Sequence, residues 1–160
     1  MSKLENCQFI QISIDGNTVD GNCEEADYKS WNEGYLPVSL STYSGPDGTY
    51  FDSASISILV TEKTSTLYEK YLSRGYKKIN ITLVYRGSNK LNANYEIQRT
   101  VYTDCRLNSL NFEMRDHLFL NLNFSVEQEI EVTFNVPNKD DSALDKVGPV
   151  KFDIPTKKLK

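Results

Sequence analysis

Hydrophobic and polar residues alternate almost without interruption from Leu118 to Val136. The even positions of this run are apolar except for Gln128, and the odd positions are polar except for Phe119. Because successive side chains of a strand point to opposite faces, the run predicts a sheet with one apolar and one polar face. At full extension it would measure roughly 60 Å, which is long for one strand. We therefore expect an antiparallel barrel or sandwich in which the run either bends near 126–128 into two strands or forms part of an extended wall.

Shorter runs with the same period predict further strands. In chain order they are Cys7–Ile14, Glu25–Trp31, Tyr35–Leu40, Ile56–Val60, Lys78–Arg86, Tyr95–Arg106 and Val150–Ile154. Asp-Gly pairs beginning at Asp15 and Asp20 predict two turns, because such pairs supply the positive φ angles that hairpins need. Gly87–Asn94 is expected to be a hairpin connection and Glu113–His117 a polar turn. Pro137–Lys146 is polar without a period and is expected to be mobile.

One segment, about Ser65 to Arg74, has a helical period. Its apolar stripe consists of Leu67, Tyr68, Tyr71 and Leu72. Thr66 and Glu69 fit a capping box at the start, and Gly75 suits the left-handed position after the end. A helix of this length is marginal alone, so we expect it to dock on the sheet.

Composition limits the class of protein and its partners. A chain of 160 residues can bury an adequate core as one domain, here 1–160, and its 10 Tyr and 7 Phe favour β structure. The net charge of −4 provides no basic excess for binding nucleic acid. Three cysteines cannot all pair, which favours a reducing compartment. We expect neither a signal peptide nor membrane insertion, since no apolar run approaches about 18 residues.

The segment Ser41–Tyr50 combines turn-forming residues with two tyrosines and has no apolar period, which predicts a protruding loop. Tyrosine provides contact area at a low cost in side-chain entropy. The stretch Tyr43–Tyr50 is therefore a candidate docking loop, and a plain surface hairpin is the alternative.

Three glutamates, Glu127, Glu129 and Glu131, share the polar face of the long run. Their carboxylates would lie about 7 Å apart in a line, an arrangement that suits a solvated surface better than a metal site. If this face lined the lumen of an assembly, repeated rows would form a negative ring.

Catalytic and cofactor signals are weak. The single histidine, His117, falls in a predicted turn, and a pairing with Cys105 stays open because nucleophile and base need only meet in space. No nucleophile elbow, phosphate loop, dinucleotide fingerprint or Cys-x-x-Cys is present. The Asp15–Glu25 segment lacks EF-hand spacing, since Val19 and Asp20 occupy its fifth and sixth positions. We expect no enzyme, no cofactor and no metal.

Several segments, taken in order, resemble one known family. They are Ile14-Asp15-Gly16, Val19-Asp20-Gly21, Asp27–Asn32 with its Ser30-Trp31 pair, the strand with Ile56 and Ile58, the helix Ser65–Gly75, Ile79–Arg86, Leu120–Val136 and Gly148–Lys158. Their order and spacing, more than any single motif, resemble the Hcp family, the tube proteins of bacterial type VI secretion systems. The resemblance covers nearly the whole chain.

The resemblance implies an antiparallel β-barrel of two packed sheets with one short outer α-helix, assembling as a homohexameric ring. Such rings stack into a hollow tube that a sheath expels, that a spike protein tips and that can carry effectors. The protein would be cytoplasmic during assembly and then secreted without a signal peptide. The resemblance also implies a loop that reaches the adjacent ring, formed by Leu40, Tyr43, Ser44, Gly45, Pro46, Asp47, Gly48, Tyr50 and Phe51.

The residues by themselves leave two alternatives open. A monomeric barrel with guarded edges fits the pattern as well as an oligomer that covers its edges by closing into a ring. A small β-sandwich binding module would instead present Tyr43–Tyr50 to a protein or glycan partner.

Overall fold

A computed structural model of the chain describes residues 8–34, 42–46, 48–87, 95–140 and 142–160. The strands are β1 (Gln8–Ile14), β2 (Asn17–Val19), β3 (Asn32–Glu33), β4 (Thr42–Gly45), β5 (Gly48–Phe51), β6 (Ala54–Leu59), β7 (Ile79–Gly87), β8 (Tyr95–Met114), β9 (Leu118–Pro137), β10 (Leu144–Asp153) and β11 (Lys158–Leu159). Helix α1 spans Thr64–Ser73, and a 3-10 helix spans Ala26–Tyr28. Cys7, the predicted strand Tyr35–Leu40 and most of the predicted hairpin 87–94 lie outside the described residues.

Most strands belong to one nine-stranded antiparallel sheet in the order β11-β10-β9-β8-β7-β1-β2, with β3 beside β1 and β6 beside β9. Strands β4 and β5 form a separate two-stranded sheet. The prediction of a mainly β protein with one helix is confirmed.

Among the described residues, strand pairing does not close this sheet into the barrel that the resemblance implied. Asn32 and Glu33 pair with β1, and only the next residue, Gly34, reaches Ile58 of β6 in a single isolated bridge. In the described ranges this single bridge joins β3 to β6, whereas closure would need a continuous ladder.

Strand β9 is continuous, so the run forms an extended wall and does not divide into two strands, and its polar interruption corresponds to a change of neighbour. Strand β6 pairs with residues 119–124 of β9, and β10 pairs with residues 129–137. Between these halves the register with β8 shifts at Asp104, which has a φ of 58°. The Asp104 amide donates to Asn80 Oδ1 at 3.0 Å, a contact outside the ladder. The polar interruption at 126–128 therefore lies where the sheet branches.

The apolar face of β9 lies in the main core, as the alternation predicts. Its buried residues are Leu120, Leu122, Phe124, Val126 and Ile130, which pack with Ile10, Ile12, Ile56, Ile58 and Leu67. Phe119 is also buried although it belongs to the polar set. The Arg115 guanidinium covers its ring, with Cζ 4.7 Å from the ring centroid, which explains an apolar residue on the polar face.

Helix α1 forms where predicted, but the contacts at its two termini differ from those predicted. The capping box predicted at 66–69 is wrong, because the helix already begins at Thr64 and no cap hydrogen bond joins those side chains. Instead, Thr64 Oγ1 accepts a hydrogen bond from the Thr61 amide at 2.8 Å. The left-handed residue at the other end is Arg74, with a φ of 56°, and not Gly75.

A second, smaller core lies on the opposite face of β1. The Phe9 and Tyr28 rings stack with centroids 4.2 Å apart, and the half-buried Trp31 meets Tyr28 edge-on at 5.2 Å. The predicted strand Glu25–Trp31 is wrong. A hydrogen bond from the Tyr28 amide to the Glu25 carbonyl, 3.0 Å, closes a 3-10 turn that brings Tyr28 over β1.

The two predicted Asp-Gly turns have different outcomes. Asp15 and Gly16, with φ of 50° and 84°, form the tight connection between β1 and β2. The turn predicted at Asp20–Asn22 is not formed. A Cβ at Gly21 would lie 2.5 Å from the Trp31 carbonyl oxygen, so this glycine permits a close backbone approach.

The chain ends in more strand than predicted. Strand β10 begins at Leu144, not at Val150, and pairs there with Pro137. The Asn138 amide donates to the Ala143 carbonyl at 2.9 Å across the intervening turn. The mobility expected for 137–146 stays a prediction, although this segment begins and ends in paired strands.

Glu96 links Tyr28 of the smaller core to Arg99. Its carboxylate accepts a hydrogen bond from the Tyr28 hydroxyl at 2.9 Å and pairs with Arg99 at 2.7 Å. The hydrogen bond from Arg99 is the main cause that lowers the pKa of Glu96 below its usual 4.5. Because the folded-state pKa is lowered, this stabilisation is complete above the unfolded pKa and disappears as the pH falls through the folded one.

We expect Glu96→Gln to lower the free energy of unfolding by about 1 kcal/mol at neutral pH. In acid the difference should shrink, because protonated Glu96 loses the same ion pair. Urea unfolding at pH 7 and at about pH 3.5 measures both values. Glu24→Gln, at an exposed glutamate, is the control. A difference that is the same at both pH values would contradict the prediction.

Candidate assembly surfaces

The predicted docking loop is a β-hairpin that stands apart from the main sheet. Tyr43 lies opposite Tyr50, and Gly45 lies opposite Gly48, whose φ of 117° suits glycine. Ser44 and Pro46 are exposed near the turn, and Leu40 and Asp47 lie outside the described residues. The protruding loop is therefore an ordered pair of strands, which we call the β4–β5 hairpin (42–51).

The β4–β5 hairpin displays its two tyrosines on one face. The side chains of Tyr43 and Tyr50 are 55% and 42% exposed, although directly opposed aromatic residues could shield each other. A Cβ at Gly45 would lie 2.9 Å from Tyr50 Cε2, so glycine at this position lets the Tyr50 ring lie across the strand. The result is an exposed aromatic surface of the kind enriched in protein interfaces.

The base of the hairpin is attached to the main sheet. The half-buried Phe51 ring lies 5.3 Å from the Phe152 ring of β10, centroid to centroid, and packs against the main core. Sequence reasoning included Phe51 but missed Phe152, because the two residues lie far apart along the chain.

Each member of the predicted acidic row has a basic partner. Glu127 lies 3.6 Å from Arg106, Glu129 lies 2.7 Å from Lys160, and Glu131 lies 3.7 Å from Lys151. The ion pairs offset most of the negative charge expected for this face. The sequence pattern shows the three glutamates but not the cations on neighbouring strands.

The same polar face carries mainly amide and hydroxyl groups along the first half of β9, beside one ion pair, Arg115–Glu113, that contacts Asn121. Asn108 donates to Asn123 Oδ1 at 3.1 Å and to Ser125 Oγ at 2.8 Å, and Asn123 in turn donates to Ser53 and Ser55. Amide and hydroxyl groups therefore satisfy one another across β6, β9 and β8. The row of glutamates begins beyond this segment, at the bulge opposite Asp104.

The two candidate catalytic residues are not brought together. His117 is exposed in the turn between β8 and β9, whereas Cys105 pairs with Val126, about 30 Å farther along the hairpin. Cys105 is 2% exposed; burial is the main cause that raises the pKa of its thiol, and Asp104 raises it further. Among the described residues, no three His, Cys, Asp or Glu side chains are arranged to hold a metal ion.

None of the helical residues that the structure describes forms a span long and apolar enough to cross a bilayer.

No protein-family model and no curated protein matches this chain. Its structure is nevertheless similar to several solved structures over almost its whole length. A type six secretion system protein matches with a TM-score of 0.73 and 15% identity, over 95% of this chain and 99% of the other. Hcp1 from Salmonella typhimurium matches at 0.70 and 16%, over 96% and 99%. The secreted protein Hcp3 from Pseudomonas aeruginosa matches at 0.67 and 11%, over 92% and 97%.

The described residues thus form a mainly β fold with one α-helix, shared with proteins of type VI secretion systems. More specifically, this is the Hcp fold, and the resemblance read from the sequence is confirmed at the level of fold.

Proposed function

We propose that this chain is a structural tube subunit of a bacterial type VI secretion system. Six copies form a ring, and rings stack through the β4–β5 hairpin into a tube that can carry effectors. The observation that carries the proposal is this hairpin, which presents Tyr43 and Tyr50 outside the main sheet of an Hcp fold. The partners are further copies of the chain and the spike, sheath and effector proteins of that system, which would also export it.

Two uncovered sheet edges support side-by-side association. Among the described residues, β10 pairs on its outer side only near its end, through Lys151, Phe152 and Asp153, leaving Val147 and Val150 about half exposed. Within the same ranges, the edge of β8 beyond Leu107 has no strand on the side away from β9. Two different edges can meet head to tail, and such heterologous contacts close into rings when the rotation permits.

The polar face of β9 is the candidate wall of the lumen in this proposal. Its acidic row is largely compensated by Arg106, Lys151 and Lys160. Next to the row lie Asn121, Asn123 and the Arg115–Glu113 ion pair, which adds no net charge. A wall with little net charge would let effectors of different charge pass without strong adsorption.

Light scattering during size-exclusion chromatography tests the assembly. We expect a discrete species at about six times the 18.3 kDa chain mass, and annular particles in negative-stain images. A monomer at every concentration, without annular particles, would instead favour a binding module that presents Tyr43 and Tyr50 to a protein or glycan.

A further inference from the structure

The C-terminal turn (Ile154–Lys157) contacts the exposed part of the β4–β5 hairpin through a lysine in an unusual backbone conformation. Lys157 has a φ of 55°, in the left-handed region that residues with a Cβ disfavour. Its Nζ lies 5.0 Å from the centroid of the Tyr50 ring. Its Cδ would lie 3.5 Å from a Cβ at Gly48, so the aliphatic stem also runs along the hairpin.

The turn itself is fixed to the main sheet. The Ile154 amide donates to the Gln128 carbonyl of β9 at 2.8 Å. The Asp153 carboxylate accepts hydrogen bonds from the Thr156 amide and hydroxyl. Lys160 pairs with both Glu129, at 2.7 Å, and Asp153, at 3.4 Å. A disfavoured backbone conformation persists where the surrounding contacts over-determine it, and these contacts meet that condition.

A two-stranded hairpin is marginal in water, so its orientation depends on what it touches. Among the described residues, the β4–β5 hairpin contacts the rest of the subunit from two successive positions of β5, whose side chains point to opposite faces: Phe51 meets Phe152, and Tyr50 meets Lys157. Contacts on both faces of β5 fix the orientation of the hairpin, whereas contacts on one face only would leave it freer to rotate.

We propose that Lys157 is a positioning residue that holds the β4–β5 hairpin at the angle needed to meet the neighbouring ring. The inference rests on the proposed function. Lys157 contacts Tyr50 of its own subunit, which leaves Tyr43, the more exposed of the two tyrosines, to contact the neighbouring ring.

Three variants of the full chain separate the side chain from the backbone. Lys157→Gly removes the contact while relieving the left-handed backbone, Lys157→Arg keeps a cation that can lie over the ring, and Lys158→Gly makes the same change one residue later. Amide hydrogen exchange across the hairpin should be about two- to fivefold faster in Lys157→Gly, matching the usual strength of an exposed cation–π contact. It should be near wild type in the other two. The melting temperature of Lys157→Gly should not fall, because glycine suits this φ.

Sedimentation over a concentration series measures stacking. Stacking should weaken in Lys157→Gly and recover in Lys157→Arg. Unchanged exchange in Lys157→Gly would overturn the inference, as would wild-type hairpin amides that already exchange at the unprotected rate. Faster exchange with unchanged stacking would refute the positioning role. If Lys157→Gly exchanges faster but the wild-type protein never forms rings, the proposed function is rejected. The contact by which Lys157 holds the hairpin would still stand.

Discussion

Replacing Tyr43 and Tyr50 together with serine should abolish ring stacking and leave the fold and the rings intact. Both side chains are exposed on one face of a hairpin outside the main sheet, so their removal costs the subunit little packing. An interfacial tyrosine that acts as a hot spot contributes about 2 kcal/mol or more. Loss of Tyr43 from each contact would weaken stacking by roughly thirtyfold or more, and loss of Tyr50 would weaken it further by releasing the hairpin from Lys157.

Sedimentation velocity and negative-stain images distinguish stacks from single rings. Tyr68→Ser is a suitable control, since Tyr68 is 37% exposed but lies on α1 against Phe112, away from the hairpin. Stacks of normal length in the double variant would exclude the hairpin as the stacking surface. Loss of rings as well as stacks would instead place the tyrosines in the contact between neighbours of one ring.

Phe124→Ala should be the most destabilising single substitution among those considered. Phe124 is fully buried on β9 between Ala54 of β6 and Leu107 of β8, and its ring meets Tyr102 edge-on at 5.3 Å. Truncation removes these contacts and leaves a cavity where the sheet branches, so the free energy of unfolding should fall by about 3–5 kcal/mol. The melting temperature should fall by roughly 6–20 °C.

Phe112→Ala provides the matched comparison, because Phe112 lies on the neighbouring strand β8 but is 44% exposed. Its effect on stability should be within about 1 kcal/mol. Calorimetry or urea unfolding of the two variants measures the contrast. Equal losses of unfolding free energy in both variants would contradict the prediction. They would mean that the residues around Phe124 relax to fill the cavity.

The elements that the sequence predicted well are those whose burial follows a local period. The alternation in β9 correctly assigned Leu120, Leu122 and Phe124 to the core, and the period-3.6 stripe located α1 to within a residue at each end. The Asp15-Gly16 turn was also predicted, because positive φ angles have a specific residue preference. In each case the information lies within a few adjacent residues.

Predictions failed where a distant contact outweighed local preference. The segment from Glu25 to Trp31 was predicted as a strand, yet stacking of Tyr28 on Phe9 favours a 3-10 turn. Similarly, Asp20-Gly21-Asn22 has the sequence of a turn, but Gly21 instead lets its backbone lie close to the Trp31 carbonyl. Neither partner can be identified from residues nearby in the chain.

For the candidate site, the sequence by itself identified an aromatic, glycine-rich segment around Tyr43–Tyr50 and a row of three glutamates on one strand face. Only the tertiary structure decided that the segment is a hairpin attached through Phe152 and Lys157, and that each glutamate faces a cation. The physical reason is the range of the interactions. Alternation and turn preference depend on neighbouring residues, whereas ion pairs, ring contacts and the branching of the sheet at Asp104 depend on which strands the fold brings side by side.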